Sequence, residues 1–162
     1  MAVIPIRVLP DPVLRQKSRR VRDIDGSVQK LINDMIETMH AVPGRAGLAA
    51  PQIGINLRVI VIGIPEKEDI VLINPKVARK KGERLVTEGC LSVPGYCGEI
   101  KRAEIVTVKG LDRNGNKIRV IANQLLAQVL EHEIDHLEGV LYIDYLASMN
   151  KLCKIEAEEG GL

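Results

Sequence analysis

"NQLLAQVLEHEIDHLEG", residues 123–139, decides how the chain is read. Leu125, Val129, His132 and His136 recur at helical spacing on one face, with Leu126, Leu130, Glu133 and Leu137 on the adjoining strip. Asn123 is a natural N-cap and Gly139 a natural stop. Gln124, Gln128, Glu131, Asp135 and Glu138 fall toward the other side. The two imidazoles therefore continue an apolar helix face, which predicts a helix packed on sheets with its histidine turn facing inward. Such a turn offers two ligands to a metal ion and sets Glu133 beside the metal's water as a general base. Ordinary partly buried histidines share this spacing, so a third ligand has to be found.

Downstream there is little to choose from. No histidine follows His136, and Glu156, Glu158 and Glu159 lie in a polar tail. Upstream, "TEGCLSVPG" at 87–95 places Cys90 between Gly89 and Leu91, where small neighbours allow close backbone approach. A thiolate with two imidazoles makes a three-ligand site with a position left for water or substrate. A further segment, "RAGLAAPQIG" at 45–54, gathers small residues, Ala46 and Gly47 among them, ahead of Gln52. Small residues would admit a peptide backbone close to the metal, and the Gln52 amide could donate to an oxygen on the reacting carbon.

Around these segments the elements can be placed. "DGSVQKLINDMIETMH" carries Val28, Leu31, Ile32, Met35, Ile36 and Met39 at helical spacing, capped by Ser27 or Asp25 and stopped by "VPG" at 42–44. "LRVIVIGI" at 57–64 and "DIVLIN" at 69–74 read as strands ended by Pro65 and Pro75. "EIVTVKGLD" and "NKIRVIA" read as a hairpin turning at Asn114-Gly115.

The 162 residues are 46% hydrophobic and 27% charged, which predicts one domain over 1–162, its tail at 147–162 a short helix with a frayed end. With no Phe or Trp, the core must be aliphatic. A net charge of +2 demands no nucleic-acid partner but permits a local basic patch. "KVARKKGER" at 76–84 holds five basic residues and reads as a solvated edge or turn, with a ribosomal RNA contact as its functional alternative. Neither a signal peptide nor a membrane-length apolar run is visible, so the expectation is a soluble, cytoplasmic protein with no DNA or membrane partner. Three irregularly spaced cysteines read as reduced thiols, with Cys97 and Cys153 as small buried hydrophobes.

"GLAAPQ", "EGCLS" and "HEIDH", in this order, resemble the three signature motifs of peptide deformylases, and "PDPVLR" resembles that family's opening. The resemblance implies an α+β fold, with mixed and antiparallel β-sheets around a central helix carrying the His-Glu-x-x-His motif. It implies that Cys90, His132 and His136 bind the metal, Glu133 serves as general acid and base, and Gln52 with the Leu91 backbone N–H stabilises the oxyanion. The reaction it implies is removal of the formyl group from the initiator methionine of new polypeptides. The ion it implies is Fe2+, with Zn2+, Ni2+ and Co2+ suited to the same donors. Leu125 and Val129, on the His132 face, are placed to line a methionine pocket. The chain departs from the family pattern at Arg45, where Gly is usual, and at Glu131, where Gln is usual; Glu131 is expected to point away from the metal with little effect on ligation.

Overall fold

The structure, a computed structural model, describes residues 2–146 and 151–154. Among these are two α-helices, α1 (Gly26–His40) and α2 (Gln124–Leu137). The strands are β1 (Gly47–Ala49), β2 (Val59–Ile62), β3 (Ile70–Lys81), β4 (Arg84–Cys90), β5 (Val93–Arg102), β6 (Ile105–Leu111), β7 (Lys117–Asn123) and β8 (Cys153–Lys154). They form a five-stranded sheet in the order β1-β2-β3-β6-β7 and a smaller sheet in the order β4-β5-β8. All of these pairings are antiparallel; a parallel bridge joins Arg19 to Leu57.

The unbroken Val-Ile-Val-Ile of β2 follows from burial on both faces. Ile60 and Ile62 pack into a cluster with Val129 and Leu130 of α2, and Val59 and Val61 into one with Ile32 and Met35 of α1. Both helices are therefore held by the same strand. A third cluster, with Val86, Cys90, Ile100 and Tyr142, fills the space beneath the smaller sheet.

The capping of α1 falls to Asp25, whose side chain accepts from the Val28 N–H. Asn123 occupies the N-cap position of α2 without a side-chain cap bond, and Gly139 ends the helix region at φ +75°, where glycine alone is unstrained. Gly115 at φ +85° turns the β6–β7 hairpin as expected.

Three expectations need correction. Pro75 does not end a strand: β3 runs on to Lys81, because a bulge between Ile73 and Lys76, with Asn74 at φ +53°, takes the proline out of the ladder. Cys97 and Cys153 are not separate thiols: β8 pairs with β5 so that Cys153 lies opposite Cys97, and the two form a disulfide across Cα atoms 5.1 Å apart. That pairing also makes part of the tail a strand rather than a helix, while residues 147–150 and 155–162 of the expected tail helix lie outside the described residues.

Candidate metal centre

Three elements bring the predicted donors together. β4 ends at Cys90, α2 presents His132 and His136 one turn apart, and the one-turn 3-10 helix Ala50–Ile53 that follows β1 carries Gln52. The Cys90, His132 and His136 donor atoms all lie within 4.8 Å of one another, and all three residues are buried. Cys90 Sγ is 3.3 Å from His136 Nε2.

The donor set fits a metal ion. His132 Nδ1 is taken by Glu88 Oε1 at 2.7 Å, which leaves Nε2 as the nitrogen available to an ion, and that buried nitrogen has no partner among the described residues. Burial pushes the His136 pKa well down, favouring the neutral form of that imidazole. Two imidazoles and a thiolate are a donor set that zinc, iron, nickel and cobalt accept.

Glu133 is fully buried, and neither carboxylate oxygen has a hydrogen-bond partner among the described residues. Burial raises its pKa to about 7. Its position is set by packing: a Cβ placed on Gly47 would lie 2.8 Å from Glu133 Oε2 and 2.8 Å from Val129 Cγ1. Glycine at 47 is therefore what leaves room for the carboxylate.

Gln52 is held in one orientation, its Oε1 accepting from Ala49 N–H at 3.0 Å. Its Nε2 consequently faces inward, 3.2 Å from Ser92 Oγ and 3.8 Å from Cys90 Sγ. Ala46 is buried beside Gly47, Leu91 follows Cys90 directly, and Val129 is fully buried on the same helix face as His132. Leu125, one turn earlier, is 41% exposed and so open to a ligand. Arg45 keeps a negative φ and donates to the Thr38 carbonyl at 2.5 Å, tying the approach to β1 to the last turn of α1.

Sequence reasoning missed the layer behind the three candidate donors. Glu88 receives Arg102 through Nε at 2.6 Å and Nη2 at 2.8 Å, and Arg102 Nη1 reaches Asp135 at 2.7 Å. Tyr145 OH donates to the same Asp135 oxygen at 2.9 Å. Burial opposes the Glu88 charge, but Arg102 and His132 outweigh it and hold the pKa at about 2. Tyr142 adds a ring stacked on His132, 6.5 Å between centroids. Glu131 does point away from the metal, but not to solvent: it is buried and accepts the Ala103 N–H at 2.8 Å. One signal for Glu88 was present, since alternation along β4 puts residues 88 and 90 on one face.

No helix among the described residues is long and apolar enough to cross a membrane. The profile of the polypeptide deformylase family matches residues 3–152. A peptide deformylase of Dehalococcoides mccartyi (strain CBDB1) is 55% identical over 98% of this chain and 95% of its own. One from Thermodesulfovibrio yellowstonii is 48% identical over 93% of both chains. Among solved structures, a peptide deformylase from Legionella pneumophila superposes with a TM-score of 0.89 at 47% identity, covering 93% of this chain and 89% of that one. Another, from Synechococcus elongatus in complex with actinonin, gives 0.87 at 43% identity over 93% and 82%. Fold, motifs and relatives agree: the chain belongs to the peptide deformylase family and is an enzyme of that class.

Proposed function

We propose that the enzyme removes the N-formyl group from the initiator methionine of newly synthesised polypeptides, releasing formate and a free N-terminus. The observation that supports this best is the meeting, in one buried place, of a Cys-His-His donor set with a partnerless carboxylate and an oriented carboxamide. Cys90, His132 and His136 would hold one ion, which supplies Lewis-acid chemistry and brings the pKa of water toward about 7. The family resemblance favours Fe2+, with Zn2+, Ni2+ and Co2+ as substitutes.

Glu133 accepts the proton of the attacking water as its oxygen bonds to the formyl carbon. It passes that proton to the amide nitrogen as the C–N bond breaks. A carboxyl with a pKa raised to about 7 can do both near neutral pH. Gln52 Nε2 and the Leu91 backbone N–H donate to the oxyanion that forms on the former formyl oxygen, each worth about 3–4 kcal/mol of barrier. Ala46 and Gly47 let the peptide backbone approach, and Leu125 and Val129 flank the unbranched methionine side chain. Residues 1–162 act as one catalytic domain in the cytoplasm, where nascent chains leave the ribosome, with no DNA or membrane partner.

The test is Glu133→Gln, which keeps size but cannot take the proton. Metal content should persist while kcat/KM for formyl-Met peptides falls about 10²- to 10⁴-fold. Activity within a few-fold of the parent would remove Glu133 from the role of base, and loss of the metal would make its role structural.

A further inference from the structure

The open end of the large sheet carries a charge pattern that deformylation does not use. In β6 and β7, alternation turns Val106, Val108 and Ala122 toward α2 and the core, and Ile105, Thr107, Lys109, Arg119 and Ile121 to the opposite face. The strand register then builds rows across three strands. Lys76, Lys109 and Arg119 form one, Arg79, Thr107 and Ile121 the next, and Lys81, Ile105 and Asn123 the last. Arg79, Lys81, Arg119 and the two isoleucines line a single shallow groove of about 200 Å³.

No carboxylate stands in these rows. Among the described residues none of Arg79, Lys81, Lys109 and Arg119 is in an ion pair. The neighbouring cation that is paired, Lys80, reaches Glu131 at 3.2 Å. Lys109 lies directly across from Arg119, a like-charge juxtaposition that destabilises an antiparallel pair. A chain whose net charge is only +2 has thus placed five of its 23 Lys and Arg residues on one sheet face without a carboxylate among them.

We propose that this face is a docking surface for the phosphate backbone of RNA. The cations form a grid spaced roughly 5 Å across strands and 7 Å along them, able to meet several phosphates at once. Arg79 and Arg119 add guanidinium forks suited to phosphate. The rows hold no aromatic side chain on which a base could stack, so recognition is of charge and not of sequence. The apolar component is two isoleucines, 37% and 64% exposed, too small to hold the protein in a lipid surface. The face lies on the side of the sheet away from α2, so bound RNA leaves the metal centre open. The choice of RNA among phosphate polymers, like a role beside the ribosome, rests on the nascent-chain reading above; the cation grid itself does not.

The experiment measures fluorescence anisotropy of a labelled 20-nucleotide single-stranded RNA of mixed sequence with the metal-loaded enzyme, from 50 to 200 mM KCl. With four to six phosphate contacts, log K should fall against log[salt] with a slope of about −3 to −4. The triple variant Arg79→Gln/Lys81→Gln/Arg119→Gln should bind at least ~10-fold more weakly at 100 mM salt, with a slope shallower by about 2. Lys67→Gln, on the β2–β3 loop, should bind as the parent does. Formate release from a short formyl-Met peptide should be unchanged in both, which separates failure of this proposal from failure of the assigned reaction. RNA binding that is absent, or that the triple variant retains in full, overturns the proposal. So does binding to phosphatidylglycerol vesicles, but not to RNA, that the triple variant loses.

Discussion

One methyl group at Gly47 probes how Glu133, the proposed general base, is positioned. In Gly47→Ala the added Cβ would meet Glu133 Oε2 and Val129 Cγ1, each at 2.8 Å, and Glu133 Cγ at 3.1 Å. Carbon atoms rest about 3.5–4.0 Å apart, so roughly 1 Å has to be given up. Val129 is fully buried in α2 and cannot retreat without moving the helix. The Glu133 carboxylate, with no hydrogen bond among the described residues to anchor it, is the group that moves. Overpacking of this kind costs about 1–3 kcal/mol, which for a chain of this length lowers Tm by roughly 2–12 °C. Displacing a reacting group by about 1 Å costs about 10²-fold in rate. The expected phenotype is retained metal, a lower Tm and a kcat/KM reduced about 100-fold, read by metal analysis, thermal unfolding and formate release. Adding Val129→Ala should restore part of the stability, because it removes the contact with Val129 Cγ1. Full activity and an unchanged Tm in Gly47→Ala would refute the claim that packing against residue 47 positions Glu133.

Three further outcomes follow from the same geometry. Cys90→Ser should lose metal, whereas Cys153→Ser should keep it and lose about 2–4 kcal/mol of stability through the opened Cys97–Cys153 bridge. Equal stability of the parent with and without a thiol reductant would argue against that bridge. Glu88 titrates at about 2 in the folded chain against an ordinary 4.5, so its stabilisation is fully present above pH 4.5 and lost as the pH falls through 2. Urea unfolding of Glu88→Gln should accordingly depend less on pH over that window, and an acid limb as steep as the parent's would sink the assignment.

What could be read in the sequence was what local periodicity encodes. His132 and His136 stand one helical turn apart, Gln52 and Cys90 lie in short segments rich in small residues, and Asn114-Gly115 turns a hairpin by itself. The features that escaped depend on registers between distant segments. Arg102 reaches Glu88 diagonally across the β4–β5 pair, from four residues beyond Gly98, the residue opposite Glu88, a placement that only the tertiary pairing of these strands defines. Cys153 reaches Cys97 across 56 residues only because β8 adds to β5. Glu131 was placed correctly on the helix wheel, yet a wheel does not show that a second layer, Ala103 with Lys80, waits on that side. Pro75 misled because a proline ends a regular ladder and a bulge releases it from that rule.

The double burial of β2 bears on how the molecule opens. Its edges are occupied by β1 and β3, and its faces carry the clusters that hold α1 and α2. Deuterium should therefore reach the Ile60 and Val61 amides only when the whole unit unfolds, with an opening free energy equal to that from denaturant titration. The far end of β3 near Lys80 should exchange by local fraying. Exchange at Val61 as fast as at Lys80 would contradict this. If it holds, the histidine helix has no separate way to detach: His132 and His136 leave the strand they rest on only in the same cooperative event that dissolves the fold.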